Sequence, residues 1–280
     1  MLTLVAAAVA GVLVGLLSGL LGIGGGTIMV PLFRLAFGLP AIQATATSLL
    51  AIIPTSLSGC VGHFCNRTCV IGVGLAAGLA GACTSPAGVH LASISPSWAI
   101  MLTAAVIIGY SAFTMLKKGL AMPKETGRSK ASAATAKAGA KATVPAERPA
   151  RVRATRRQTV VGVAAGAVAG LASGYVGVGG GFLMVPLFIQ FGGISMRQAS
   201  GTSLIAVTLL AIPGAIAQIM LGNVHILAGL VLSLGSIPGA LVGANLVRYV
   251  PERTLRLLFG GFLLVVAVIL VGNEIMVPEV

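Results

Sequence analysis

The chain has 280 residues, of which 57% are hydrophobic and 8% are charged, and its formal net charge is +13. Its mean hydropathy is +1.05. Soluble domains are usually about 25% charged, so this chain has too few polar groups to cover a globule in water, which excludes an ordinary soluble enzyme. The sequence also contains 39 glycines, and it has 18 Lys and Arg residues but only five acidic residues, all of them Glu.

The first half contains four long uncharged runs, each near the roughly 20 apolar residues that cross a bilayer as a helix. They cover residues 2–21, 41–62, 70–92 and 98–116. A shorter apolar stretch follows the first run, at residues 27–38. No basic residue precedes the first run, as it would in a secretory signal, so we interpret that run as a retained transmembrane helix. The pattern predicts an all-α polytopic membrane protein, because a spanning segment must satisfy its own backbone hydrogen bonds.

The basic charge is concentrated in residues 117–157, which hold 12 of the 18 Lys and Arg and otherwise mainly Ala, Thr, Ser, Gly and Pro. Such a segment cannot bury enough apolar surface to offset its conformational entropy. We interpret it as a disordered linker, which the positive-inside rule places in the cytoplasm. It determines topology or attaches to anionic lipid, and no nucleic-acid partner is expected.

The second half repeats the first. Its apolar runs cover residues 160–176, 199–221, 226–247 and 257–272, with a short stretch at 182–191. Residues 170–188 match residues 15–33 at 13 of 19 positions, and the same offset of 155 aligns further motifs downstream. The chain is therefore predicted to contain two homologous transmembrane repeats, residues 1–116 and 158–280, joined by the linker 117–157.

The loop charges indicate how the repeats are oriented. Arg248, Arg253 and Arg256 surround the loop after the fourth element of the second half, whereas the equivalent residues 93–97 are uncharged. Because basic loops stay in the cytoplasm, equivalent loops lie on opposite sides. This predicts an inverted arrangement of 5+5 elements, with eight to ten transmembrane segments. If the short stretches only re-enter the membrane, the crossings fall to eight and the repeats become parallel.

A glycine motif recurs in both halves just before each short stretch. Three consecutive glycines break a helix and let backbone N–H groups approach a ligand. The short helix that follows then points its partially positive N-terminus into the protein, where it favours an anion. Paired short, glycine-interrupted segments indicate a transporter binding site. The candidate residues in the two motifs are Gly24, Gly25, Gly26, Thr27, Gly179, Gly180, Gly181 and Phe182.

Two other interpretations of the motif compete with a binding site. The glycines could serve only close helix packing. A dinucleotide fingerprint needs a further glycine, but the final position is Thr27 in one copy and Phe182 in the other.

Hydroxyl residues begin the next apolar run in both halves and are candidates for shaping the site. They are Thr47 and Ser48, with their copies Thr202 and Ser203. These hydroxyls either donate to an oxyanion or bond to their own or a neighbouring helix. Tyr175 lies beside the second glycine motif and is a candidate for facing the pathway.

The apolar runs carry no Asp or Glu that could act as a cation or proton relay. Any proton coupling would fall to His63, His90 or His225. Four cysteines in the first half do not follow a standard zinc spacing, so no metal and no cofactor are expected.

The duplicated Gly22–Pro31 and Gly177–Pro186 motifs, with Ala44–Ser48 and Ala199–Ser203, resemble those of the sulfite exporter TauE/SafE family. The resemblance covers nearly the whole chain outside the linker. It implies an inner-membrane or plasma-membrane transporter of small sulfur anions such as sulfite, sulfoacetate or other sulfonates.

We therefore expect a secondary carrier of a small anion that works by alternating access in the cell membrane, with the lipid bilayer as its surroundings. A coupling proton or ion and a homo-oligomeric state stay open. Rival hypotheses are an anion channel, an intramembrane enzyme, for which no convincing nucleophile–base pair is present, and a scaffold without transport.

Overall fold

The computed structural model describes residues 2–122 and 155–276, and within them the chain is helical without strands, which confirms the all-α class. The first half contains α1 (Leu2–Leu21), α2 (Gly26–Phe37), α3 (Ala41–Cys65), α4 (Ile71–Ser93) and α5 (Ser97–Ala121). The second half contains α6 (Arg156–Val176), α7 (Gly181–Gln190), α8 (Met196–Met220), α9 (Ile226–Leu246) and α10 (Glu252–Met276). Most of the linker, for which disorder was predicted, lies outside the described residues.

Helices long and apolar enough to cross a membrane dominate the described residues. Seven satisfy that criterion by length and composition, namely α3 to α6 and α8 to α10. The short helices α2 and α7 have 12 and 10 residues. Large apolar side chains are exposed on the outer helices, for example Leu79, Val106 and Leu234. An exposed apolar surface of this extent is typical of a protein covered by lipid, which makes the chain a multi-pass membrane protein.

The helix bounds follow the sequence offset between the two halves. Helices α3 and α8 begin and end 155 residues apart, and so do α5 and α10. Helices α2 and α7 begin 155 residues apart, as do α4 and α9. The loops between the helices are short, and they lie at equivalent sequence positions in the two halves.

Glycines bring helices of different halves into close contact. A Cβ on Gly15 of α1 would lie 2.1 Å from the carbonyl oxygen of Ser236 in α9, and a Cβ on Gly166 of α6 would lie 2.1 Å from that of Ala77 in α4. Only glycine allows backbones to approach so closely. The helix pairs α1–α9 and α4–α6 are both parallel, because residue numbers increase along both helices from one contact to the next. The contacts of α1 with α9 join Gly11 to Leu232, Gly15 to Ser236 and Gly19 to Ala240. Those of α4 with α6 join Ala77 to Gly166, Gly81 to Gly170 and Ser85 to Gly174.

Helices α3 and α8 cross the centre of the bundle in opposite directions. The Oγ1 of Thr208 in α8 donates to the Oγ of Ser56 in α3 over 3.0 Å. Leu204 contacts Gly59 later in α3, whereas Gly214 contacts Leu49 earlier in α3. Equivalent helices of the two halves thus run antiparallel at this contact, and the inverted 5+5 arrangement relative to a membrane stays a prediction.

Basic residues of the described helices gather at the end of the bundle where the linker is attached. Helices α3 and α9 end there, and α8 and α10 begin there, as their polar contacts show. Gly119, near the end of α5, packs against Leu257 near the start of α10. Asn66 donates to the Oδ1 of Asn245 over 2.8 Å, and Arg197 donates to the carbonyl of Val250 over 2.8 Å. Arg34 is an exception, since it lies near the end of α2, which leads to the start of α3.

Candidate functional site

The two glycine breaks lie against each other in the middle of the bundle. A Cβ on Gly26 would lie 2.4 Å from the carbonyl oxygen of Val178, and a Cβ on Gly181 would lie 2.7 Å from that of Gly22. Gly24 has φ = 82° and its copy Gly179 has φ = 87°. This left-handed conformation is one that glycine adopts without penalty, which explains why the chain reverses here. The structure therefore brings together the two motifs that the sequence places 155 residues apart.

Each break ends at the N-terminus of a short helix, so two partially positive helix ends meet near the centre. Helix α2 begins at Gly26 and α7 begins at Gly181, each after a left-handed glycine N-cap. Among the hydrogen bonds of the described residues, none has the backbone N–H of Gly26, Thr27 or Phe182 as its donor. Free N–H groups at a helix N-terminus favour an anion.

Buried hydroxyls without partners lie on the same elements as the breaks. Ser18, Thr27 and Ser173 are each at most 1% exposed, and their hydroxyl oxygens have no hydrogen-bond partner among the described residues. Ser18 and Ser173 are equivalent residues, and the Cβ of Ser18 lies 3.6 Å from the position of a Cβ on Gly25. A buried polar group without a partner costs about 1–3 kcal/mol, so these hydroxyls are ready to donate to a ligand.

The sequence-based reasoning missed Ser18 and Ser173 as site residues. Both belong to the repeated stretch Gly-Leu-x-Ser-Gly that precedes each break. A duplicated serine in an otherwise apolar run was the signal that could have identified them.

Ser48 and Ser203 hold the break of the opposite half. The Oγ of Ser203 donates to the carbonyl of Gly22 over 2.6 Å, and the Oγ of Ser48 makes the equivalent bond to the carbonyl of Gly177. Both hydroxyls also reach a carbonyl of their own helix, that of Ser200 in the case of Ser203. A serine has one proton to donate, so each hydroxyl shares it between a carbonyl of the opposite break and a carbonyl of its own helix.

Thr47 and Thr202 attach the loops that precede α9 and α4. The Oγ1 of Thr47 accepts a hydrogen bond from the N–H of His225 over 3.0 Å. The Oγ1 of Thr202 accepts one from the N–H of Val70 over 3.0 Å. In this conformation both threonines contact the backbone of the other half, and a direct contact with substrate stays a prediction.

The aromatic candidates lie in different surroundings. Phe182 is fully buried in the core at the start of α7. Tyr175 is half-buried and lines a cavity of about 690 Å³ between α4, α5, α6 and α7, whose walls are mainly apolar. The structure thus places Tyr175 in this cavity, and its contact with a transport pathway stays a prediction.

The centre of the bundle is closed by two equivalent apolar side chains. Ile52 lies in the middle of α3 and Val207 in the middle of α8, and both are fully buried. A Cβ on Gly24 would lie 2.7 Å from the Cγ1 of Val207, and one on Gly179 would lie 2.9 Å from the Cδ1 of Ile52. Any ligand that reaches the breaks therefore needs these side chains to move.

The cysteines are free thiols in this structure. No group of three or more His, Cys, Asp or Glu in the described part of the chain is arranged to hold a metal ion. Burial raises the pKa of the Cys69 thiol, in the loop between α3 and α4, above its ordinary value. A raised pKa leaves less thiolate at neutral pH, which makes this thiol a poor nucleophile or metal ligand.

The helical bundle with paired, glycine-broken half-helices is the architecture of a polytopic membrane transporter. Residues 7–270 match the family described as Sulfite exporter TauE/SafE. The chain belongs to this family of membrane transporters, as the resemblance of its motifs predicted.

Similar proteins are also described as membrane transporters. The chain is 26% identical over 245 residues to the Probable membrane transporter protein YdhB of Bacillus subtilis, which covers 87% of this chain and 90% of that one. It is 50% identical over 50 residues to the Probable membrane transporter protein YunE of the same organism, 18% of each chain. It is 32% identical over 104 residues to the Probable membrane transporter protein MamO of Magnetospirillum gryphiswaldense, 34% of this chain and 16% of that one. No solved structure matches the chain.

Proposed function

We propose that the protein is a secondary carrier that moves a small anion, such as sulfite or an organosulfur anion, across the cell membrane by alternating access. The observation that carries the proposal is the meeting of two half-helix N-termini, one from each repeat, beside buried hydroxyls that have no partner among the described residues. Backbone N–H groups and hydroxyls donate hydrogen bonds, so the site suits an oxyanion.

The class of substrate follows from the lining and from the family. The described residues around the breaks provide donors but no carboxylate, which would be needed to attract a cation. The family name supports a sulfur oxyanion. Sulfite is small enough to be held by a few N–H and O–H groups, and a sulfonate presents the same three-oxygen head.

Alternating access is supported by the arrangement of equivalent elements. The hydrogen bonds of Ser48 and Ser203 each join a glycine break of one half to α3 or α8 of the other half. The side chains that close the centre, Ile52 and Val207, are also at equivalent positions of the two halves. A change that opens one side of such an arrangement has a symmetric counterpart that opens the other side. The basic residues at the linker end support a cytoplasmic linker.

Flux measurements in liposomes test the proposal. Purified protein is reconstituted, loaded with sulfite or sulfoacetate, and assayed for efflux and for counterflow of labelled anion. We expect saturable flux with counterflow. Flux that neither saturates nor shows counterflow indicates a channel, and no flux of either anion by folded protein contradicts the proposal.

The matched variants are Ser18→Ala with Ser173→Ala, and as a control Ser93→Ala. Ser93 is exposed at the end of α4 and donates only to the carbonyl of His90. The double variant is expected to raise the KM for the anion at least tenfold, which corresponds to losing about 1.4 kcal/mol of binding free energy. The control is expected to leave the KM unchanged.

A further inference from the structure

His63 is a buried histidine that joins three elements of the bundle. It lies near the end of α3 and is fully buried. Its Nε2–H donates to the carbonyl of Gly19 in α1 over 2.8 Å, and its Nδ1 lies 2.7 Å from the Oγ1 of Thr68 in the following loop. A Cβ on Gly201 of α8 would lie 3.0 Å from the Nδ1, so α8 leaves room for the ring.

No other group that titrates near neutral pH is buried in the described helices. His90 and His225 are exposed. The carboxylate of Glu252, at the start of α10, is engaged with Arg256. An ionisable residue inside a membrane protein is by default a functional group, which singles out His63.

The elements around His63 contribute no carboxylate. Helix α1 contributes the Gly19 carbonyl, and α8 contributes Gly201. The neighbouring end of α9 contributes Asn245, which binds Asn66. The titratable and charged groups nearest in the chain on these elements are Cys60, Cys65, Arg67, Cys69, Arg197 and Arg248. A proton on His63 would therefore not be neutralised by a fixed anion of the described residues.

His63 is coupled to the first glycine break through the end of α1. The carbonyl of Gly19 is in the last turn of α1, three residues before Gly22, and its partner is the imidazole. Further along the same segment, the carbonyls of Leu21 and Gly22 accept hydrogen bonds from Ser200 and Ser203. The partial negative charge at the C-terminus of a helix stabilises an imidazolium, so the charge on His63 acts on the segment that forms the anion site.

The hydrogen bonds of His63 can accommodate both protonation states. In the neutral ring Thr68 donates its hydroxyl proton to the Nδ1. In the imidazolium the Nδ1–H donates to the Thr68 oxygen, and the hydroxyl turns to the His63 carbonyl, 3.2 Å away. Thr68 is half-buried, so its hydroxyl connects the ring to the loop surface. One proton from water is thus gained and later returned without breaking the bond to Gly19.

We propose that His63 is the binding site of a proton that is transported together with the anion. The inference rests on the proposed function. Proton and anion are bound at the same time, because the positive imidazolium at the end of α1 offsets the negative ligand at the adjoining break. The two ions then move in the same direction.

The test uses a substitution that the second half provides. Position 218 is equivalent to position 63 and holds Gln218, which is also buried and bonds to Asn223 over 2.9 Å. His63→Gln therefore keeps a hydrogen-bonding side chain and removes the titration. The matched control is Gln190→His, which places a histidine at the end of α7, outside this contact.

Liposomes with a pH gradient of one unit and an internal pH dye report both ions. For one proton per anion, the wild type should accumulate the anion up to about tenfold and move protons with it. His63→Gln should equilibrate the anion without accumulation and without proton movement, and Gln190→His should behave as the wild type. Accumulation by His63→Gln, or wild-type anion flux without proton movement, overturns the inference but leaves the carrier intact. Absence of any wild-type anion flux overturns both proposals.

A second measurement does not depend on the variant. Calorimetric titration of the wild type with sulfoacetate in two buffers of different ionisation enthalpy gives the number of protons taken up on binding. Both acidic groups of sulfoacetate stay ionised in the pH range in which histidine titrates, so the ligand contributes no proton, and we expect uptake approaching one proton per anion bound. Zero uptake across the pH range in which histidine titrates overturns the inference.

Discussion

Replacement of Gly26 by alanine tests the contact between the two breaks most sharply. Gly26 is the first residue of α2, and its φ is not in the left-handed region, so alanine can adopt its backbone conformation. The new Cβ would lie 2.4 Å from the carbonyl oxygen of Val178 and 2.6 Å from the Cδ1 of Ile52. Non-bonded heavy atoms normally keep about 3.5 Å apart, so the breaks must separate by about 1 Å.

The expected loss follows from that displacement. Overpacking of a tight core costs about 1–3 kcal/mol, of which the better helix propensity of alanine recovers at most about 1 kcal/mol. We therefore expect a decrease in the free energy of unfolding of up to about 3 kcal/mol. A displacement of about 1 Å at a binding group can cost on the order of 100-fold in function, so anion flux should fall by a similar factor.

The assay compares Gly26→Ala with Gly109→Ala. Gly109 is a glycine of α5, and a Cβ added to it would have no heavy atom of another residue's side chain or of a neighbouring helix within 4 Å, so alanine has space there. Thermal unfolding in detergent and sulfite flux in liposomes are measured for both. If Gly26→Ala is as stable and as active as Gly109→Ala, the two breaks do not contact each other in the working protein.

Three further predictions address the hydroxyls, the closing residues and the thiols. Ser18→Ala should leave thermal stability in detergent unchanged or raised, because its hydroxyl has no partner to lose among the described residues; a marked loss of stability would show that the hydroxyl is bonded. Ile52→Ala should lower the free energy of unfolding by about 2–5 kcal/mol and raise the passive anion leak of liposomes, whereas an unchanged leak would mean that Ile52 does not close the centre. In a variant with Cys69 as its sole cysteine, the rate of alkylation by N-ethylmaleimide should have its pH midpoint above the ordinary thiol pKa of about 8.5. The reason is that burial raises the pKa of this thiol, so its reactive thiolate forms only at higher pH. A pH midpoint at or below about 8.5 contradicts the burial.

The helices themselves could be predicted from the sequence because apolar length determines them. The apolar run at residues 41–62 forms most of α3 (Ala41–Cys65). Helix α1 ends and α2 begins at the glycine motif before residue 27, as the motif predicted. The repeat in the sequence also located both breaks. These features depend on local composition and chain conformation, which a single sequence carries.

The partners of the polar residues could not be predicted in the same way. The sequence left open whether Ser48 and Ser203 bond to a ligand or to a helix, and the structure places both on the backbone of the opposite break. That choice depends on how α3 and α8 cross, which is a long-range property. For the same reason the isolated hydroxyl of Ser18 and the contact of His63 with Gly19 appear only once the helices are packed.

The proposed carrier depends above all on an anion binding where the N-termini of α2 and α7 meet. Selenite is a heavier analogue of sulfite, and its selenium gives an anomalous X-ray signal that locates it in a crystal. We predict one anomalous peak per chain within hydrogen-bond reach of the N–H groups of Thr27 and Phe182 and of the Ser18 and Ser173 hydroxyls. A selenite peak elsewhere in the bundle, with the two breaks still closed on each other, would contradict this binding site.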